Sequence, residues 1–409
     1  MRVRIHRGTK QIGGTCVELQ QYERRLVLDF GLPLDGQPHD KSLVPQLALD
    51  DIDAIVISHP HIDHYGLIHH VPAETPVAMG AAARRIVSTA APFTGQVLPS
   101  LAGPVLSHEK SLKLGPFTIT PFLVDHSAFD AYSLLIEAGG KRLFYSGDFR
   151  GHGRKSQLFE RMLSEPPAEI DVLLMEGSSL TRMAADHHFP SECHVESQLV
   201  NTINKTLGLV LMHTSAQNID RVVSLYRACR KTGRTLVIDL YAAAILEATG
   251  NAHIPQSDWP GVALFVPESQ RRLIKRNGWF ELLDRHKKHR IFPESLKSLA
   301  ANSVMLFRPM MMADLEKSDA LHEASFIYSQ WLGYLESGTY HEMERWLFRH
   351  GIPMNHIHTS GHASPVDLQR FAAAMAPKSI VPIHSFAPEK YKQLFDNVIY
   401  RNDGEWWGV

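Results

Sequence analysis

The chain has 409 residues, 44% of them apolar, so about two to three domains with full cores are expected. The 42 Lys and Arg against 43 Asp and Glu leave a net charge of −1, which excludes a basic footprint over the whole chain and makes any polyanion-binding face a local one. No apolar run reaches the roughly eighteen residues of a membrane span, the start M-R-V-R-I-H-R-G lacks a signal-type segment, and Cys16, Cys193 and Cys229 form no C-x-x-C knuckle, so a soluble cytoplasmic protein with reduced thiols is expected.

Strands and turns dominate to about residue 176. Asp29 closes the run L-V-L-D-F-G, where it either orients a neighbouring ligand or opens the turn F-G-L-P. Ile52 to Ile57 reads as a buried strand that runs through Ser58 into H-P-H-I-D-H over 59–64. Three imidazoles and one carboxylate within six residues are the ligand types of a hydrolytic zinc site. In an extended loop, His59, His61 and Asp63 alternate along one side while His64 turns to another, so one loop can feed two metal ions. With 24 histidines in the chain, isolated pairs such as His69–His70 and His187–His188 lack this context and are left out.

Three later strands end in candidate ligands. Thr118 to Val124 leads into Asp125-His126-Ser127, Lys141 to Tyr145 into Ser146-Gly147-Asp148, and Ile380 to Ile383 into His384. Open α/β folds place their sites at such carboxyl ends. Between them the character changes. Leu207 to Met212 is a strand, a helix opens near Gln217 and Asn218 and runs to about Lys231, Thr235 to Asp239 is the next strand, and Tyr241 to Thr249 is a helix. This βαβα order, with a further strand at Ser303 to Phe307, predicts a parallel sheet. In the H-T-S-A-Q-N-I-D-R stretch Ser215 lacks a G-x-S-x-G turn, and Asp220–Arg221 is expected to be a structural pair. The basic stretch Arg271 to Arg290, with Trp279 and Phe280, is either an amphipathic helical pair or a face that tracks a phosphate backbone. A helix from Asp367 to Ala374 precedes the last strand.

The ordered set of Asp29, H-P-H-I-D-H, His126 and Asp148 in S-G-D-F-R resembles the metallo-β-lactamase fold. L-L-M-E-G-S-S centred on Glu176, T-S-G-H-A-S centred on His362 and V-P-I-H-S centred on His384 resemble motifs A, B and C of the β-CASP nucleases, most of all a short ribonuclease J type. The resemblance covers nearly the whole chain. It implies an α/β protein, a metallo-β-lactamase αββα sandwich with an inserted β-CASP parallel α/β domain, divided as 1–176, 177–345 and 346–409.

The same resemblance implies site roles. His59, His61 and His126 would hold one zinc ion, Asp63, His64 and His384 a second, and Asp148 would bridge them, with manganese as the alternative metal. Asp63, His362 and Glu176 would be catalytic, His362 as general acid oriented by Glu176. Ser360, His362 and Ser364 would contact a substrate phosphate, although a tight turn with serine caps explains the same loop. Asp29 would stand behind a ligand histidine. A histidine at motif C resembles the RNA-processing branch, since DNA-cutting relatives usually carry valine there. The implied activity is zinc-dependent hydrolysis of single-stranded RNA, endonucleolytic, 5′-to-3′ exonucleolytic or both, leaving 5′-phosphates. The alternatives are a DNA nuclease of the same fold or a small-molecule metallo-hydrolase. No membrane partner is expected. A homodimer is among the assemblies the family allows, but the chain ends at Val409 without the extra C-terminal domain that supports dimers there.

Overall fold

Short β-branched, apolar segments build the first unit, Met1–Phe189 with Gly361–Val409. The computed structural model describes residues 1–336, 338 and 340–409. One sheet runs in the order Trp406–Gly408, Arg2–Arg7, Cys16–Gln21, Arg24–Leu28, Ala54–Val56, Val77–Gly80 and Val105–Leu106. The second runs Ser379–Ile383, Val172–Glu176, Lys141–Tyr145, Tyr132–Ala138, Phe117–Leu123 and Leu112–Leu114.

Side chains alternate across each strand, so each sheet has two apolar faces to cover. The inner faces meet in a core containing Val3, Leu19, Leu28 and Val56 from one sheet and Leu134, Leu143, Leu174 and Ile383 from the other. Outside the first sheet, Ile55 and Ile57 pack with Ala83 and Val87 of the helix Ala81–Thr94. Outside the second, Phe144 and Leu173 pack with Phe159 of the helix Ser156–Ser164 and with Leu368 and Phe371 of Pro365–Met375. The result is the αββα sandwich.

Three parallel pairings aim the strands of interest the same way within each sheet. Arg24–Leu28 pairs with Ala54–Val56, and Lys141–Tyr145, Val172–Glu176 and Ser379–Ile383 pair side by side. Their carboxyl ends therefore deliver Asp29, His59, Asp148, Glu176 and His384 to one edge.

The second unit, Pro190–Ser360, is an α/β domain on a seven-stranded parallel sheet. Its order is Arg290–Ile291, Val262–Phe265, Thr235–Ile238, Ser303–Phe307, Val210–His213, Ser325–Tyr328 and Met354–His356. The Asn218 side chain accepts from Arg221 N and starts the helix Ile219–Thr232. Arg221 does not pair with Asp220 as expected. It is fully buried and pairs with Glu192 at 3.1 Å, because the helix turns it inward against Glu192–Lys205. The basic stretch forms two helices, Glu268–Asn277 and Phe280–His286, with Ile274 buried and Lys275 and Arg276 exposed.

This unit begins and ends later than the 177–345 expected. Leu180 belongs to the first unit's core, and Lys390 Nζ donates to its carbonyl at 2.8 Å. At the other end, the helix His341–Arg349 buries Met343, Trp346 and Leu347 in the second unit's core, and Met354–His356 adds a strand to its sheet. Among the described residues, no helix is long and apolar enough to cross a membrane.

Candidate metal centre

The H-P-H-I-D-H stretch is extended only as far as His61, at φ −93° and ψ 144°. Ile62–Tyr65 then closes a helical turn, which corrects the expected alternation through Asp63. The cause lies in the chain beside it. Phe30 N, Leu32 N and Thr15 N donate to the carbonyls of His64, Ile62 and Asp63 at 2.7, 3.1 and 3.2 Å, and these bonds curl the loop. Gly31 allows this approach. A Cβ there would stand 1.8 Å from the Asp63 carbonyl oxygen.

The structure brings seven sequence-selected residues together in two groups. His59, His61 and His126 form one; Asp63, His64, Asp148 and His384 form the other, with ligand atoms within 4.8 Å of one another in each. Asp148 Oδ2 lies 3.7 Å from His59 Nε2, 3.2 Å from His64 Nε2 and 3.7 Å from His384 Nε2. One carboxylate thus reaches both groups.

These residues fit divalent metal ions. His59 Nε2, His64 Nε2, His384 Nε2 and both Asp148 oxygens are buried with no hydrogen-bond partner among the described residues. Buried polar atoms are rarely left unpaired, and five converging ones need a ligand. The other ring nitrogen of each histidine is already engaged. His59 Nδ1 meets Ser58 Oγ at 3.0 Å, His64 Nδ1 meets Asp29 Oδ2 at 2.7 Å, His384 Nδ1 meets Thr15 Oγ1 at 2.9 Å, and His126 Nδ1 meets the Gly361 carbonyl at 2.6 Å. Such bonds fix the tautomer and present Nε2 to a metal.

Electrostatics sort the group. Burial pushes the His59 and His126 imidazoliums well below their ordinary range, and it brings His61 down to about 4, so these three are neutral ligands. Burial opposes charge on His64 too, but Asp148, Asp29 and Asp63 outweigh it and raise that imidazole well above its usual value in the metal-free protein. Burial would raise Asp148, yet His384, His64 and His362 hold it well below the ordinary carboxylate range.

Asp29 is the hub behind the centre. It is fully buried at φ +56° and accepts from Ser58 N at 2.7 Å, Ser58 Oγ at 2.8 Å, Tyr145 Oη at 2.6 Å and His64 Nδ1 at 2.7 Å. His384 also has a positive φ, +52°, at its strand end. A left-handed backbone at a non-glycine residue is strained and persists where the surroundings hold it. Thr15, Ser58 and Tyr145 were missed in the sequence. Each contributes a hydroxyl, and hydroxyl residues carry no motif; Thr15 meets its histidine across 369 positions.

His362 and Glu176 lie beside the centre. His362 Nδ1 is 3.3 Å from Glu176 and 3.6 Å from Asp148 Oδ2. Burial would lower the imidazolium, but these two carboxylates outweigh it and raise it to about 8. Glu176 also accepts from Phe149 N, Ala363 N and both donors of Ser178, so its carboxylate is fixed on four sides. The Ser364 hydroxyl caps Pro365–Met375, accepting from Asp367 N and donating to Asp367 Oδ2 at 2.8 Å. Ser360 is buried at the last position of the second unit.

Residues 24–213 match the β-lactamase superfamily domain. The transcription termination factor FttA of Methanothermobacter thermautotrophicus is 28% identical over 260 residues, 57% of this chain and 40% of its own. Ribonuclease J of Mycobacterium tuberculosis is 25% identical over 282 residues, 64% of this chain and 49% of its own. Ribonuclease J of Helicobacter pylori is 21% identical over 414 aligned positions, 92% of this chain and 55% of its own. The chain spans about half the length of these relatives. A protein of unknown function from Enterococcus faecalis V583 has the same fold, with a TM-score of 0.78, 22% identity and 99% of each chain covered. The chain therefore carries a β-lactamase superfamily domain over residues 24–213 and is similar to the ribonuclease J and FttA proteins.

Proposed function

We propose that this chain is a two-zinc ribonuclease that hydrolyses phosphodiester bonds of single-stranded RNA, leaving a 3′-hydroxyl and a 5′-phosphate. The observation that carries the reading is Asp148, whose one oxygen lies within 3.2 to 3.7 Å of ligand nitrogens from both groups. His59, His61 and His126 would hold one ion, and Asp63, His64 and His384 the other, with Asp148 shared. When bound, such ions supply Lewis-acid activation of water and of a phosphate ester. Imidazole and carboxylate ligands suit zinc, and manganese is the second metal of choice.

The chain's own residues do the rest. His59 and His126, held neutral by burial, keep their lone pairs for the metal. His362, protonated up to a pH of about 8 beside Glu176 and Asp148, donates a proton to the departing 3′-oxygen. Glu176, anchored by Phe149, Ser178 and Ala363, keeps that imidazolium in place. Glycine and alanine flanking His362 let a phosphate approach the loop, and Ser360 and Ser364 are its candidate contacts. RNA is favoured over DNA by His384 at motif C and by the ribonuclease J relatives. Endonucleolytic and 5′-to-3′ exonucleolytic cleavage both fit this site.

A 5′-labelled single-stranded RNA incubated with zinc- or manganese-loaded protein tests the chemistry. Products that carry 5′-phosphates and 3′-hydroxyls, formed much more slowly by His362→Ala, are expected. Products with 2′,3′-cyclic ends would overturn it.

A further inference from the structure

The S-G-D-F-R-G-H-G stretch does more than supply Asp148. Arg150 and Asp125 are both fully buried, and Arg150 Nε lies 3.5 Å from Asp125 Oδ1. Arg150 N also donates to the Asp125 carbonyl at 2.7 Å, and Gly153 N donates to Asp125 Oδ2 at 2.7 Å. Lys155 Nζ donates to the His126 carbonyl at 2.9 Å. Four contacts therefore run from one short segment, 150–155, onto the turn Asp125–His126. Gly153 leaves no room for a side chain, since a Cβ would stand 2.3 Å from Asp125 Oδ1 and 2.4 Å from Arg150 Nε.

The two ends of this clasp are metal ligands. His126 follows Asp125 directly and belongs to the three-histidine group; Asp148 stands two residues before Arg150 and reaches both groups. Burying an arginine with a carboxylate is costly on desolvation grounds, and an apolar pair of similar volume often serves stability as well or better. The arrangement gains its meaning from what it aligns. We propose that Arg150 and Asp125 are positioning residues that hold His126 in register with Asp148 and so set the affinity of the His59–His61–His126 half of the centre. The inference rests on the metal reading above.

Partners behind metal ligands change affinity by about 10- to 100-fold when removed. The test uses the full chain, metal-stripped and then titrated with zinc and with cobalt, reading bound metal per chain and the cobalt absorption spectrum. Wild type is expected to take two equivalents. Arg150→Lys keeps the charge but not the planar fork. It is expected to fold, keep one tight equivalent and weaken the other about tenfold or more, with a changed cobalt spectrum. Asp125→Leu/Arg150→Met removes both charges of the pair together and costs Gly153 N its acceptor. A purely structural pair predicts wild-type metal affinity in the folded double variant. The clasp predicts one equivalent still weak. Either variant binding two equivalents as tightly as wild type overturns the proposal. Wild type that takes no metal at all would remove the metal reading itself, and the clasp with it.

Discussion

Asp29→Asn isolates the hub behind the centre. Asparagine matches aspartate in shape and tolerates the left-handed backbone at φ +56°, so the backbone adds no cost of its own. The electrostatic change is sharp. The carboxylate accepts four hydrogen bonds with two oxygens; the amide keeps one oxygen and turns an N–H2 towards the remaining donors. About two buried donors lose their partner, each at about 1–3 kcal/mol, so a loss of about 2–6 kcal/mol is expected. That is a large share of the about 5–15 kcal/mol that holds a typical domain together. His64 also loses the acceptor that fixes its tautomer, and metal affinity should fall by about 10- to 100-fold. Thermal melting of metal-free protein and zinc titration measure the two effects separately. Melting unchanged within about 1 °C together with unchanged zinc affinity would refute the role given to Asp29.

Tyr145→Phe removes one of those four donors without opening a cavity and should cost only about 1 kcal/mol in a melting experiment; a loss as large as that of Asp29→Asn would mean the phenol matters for packing. Gly31→Ala drives a methyl into the Asp63 carbonyl and should cost more than about 3 kcal/mol, read as a collapse in melting temperature or in soluble yield. Cleavage should decline as pH rises through about 8, because His362 gives up the proton it donates; Glu176→Gln removes the nearer charge that raises it, so the declining limb of the pH–rate profile should move to lower pH. Metal-free protein should lose stability as pH falls below about 6.5, the ordinary histidine value. There the unfolded chain takes up protons that His59, His61, His126 and His384, all lowered by burial, refuse in the fold. His64 and His362, both raised, keep their contribution at acid pH and do not offset that loss. Denaturation midpoints between about pH 6.5 and 5, below the window in which His64 and His362 titrate, decide it, and a midpoint that rises on acidification there would contradict the assignment.

The parts of this site that were legible in the sequence are those where chemistry and strand periodicity coincide. A buried run ending in a histidine or aspartate, as at Ile52–His59 or Lys141–Asp148, announces both the strand and the ligand. The helical turn at Ile62–Tyr65 was not legible, because its hydrogen bonds come from Thr15, Phe30 and Leu32 rather than from neighbours in sequence. Asp29 stood evenly between a turn residue and a support for a ligand; its four donors come from Ser58, His64 and Tyr145, at separations that no local pattern encodes. The clasp was invisible for a related reason. Arg150 follows a recognisable S-G-D motif, but its partner Asp125 had been passed over in favour of the histidine beside it. The boundaries of the inserted unit were blurred because the strand Met354–His356 is short and exposed, with none of the apolar run that marks the inner strands.

The most direct test of the central claim compares wild type with Asp63→Ala/His64→Ala on a labelled single-stranded RNA and on DNA of the same sequence, at measured metal content. Rapid RNA cleavage by the two-zinc wild type, none on DNA, and loss of both cleavage and metal in the double variant is the predicted result. Two bound zinc ions with neither polymer cut would contradict the nuclease reading, and equal cleavage of DNA would contradict the choice of RNA.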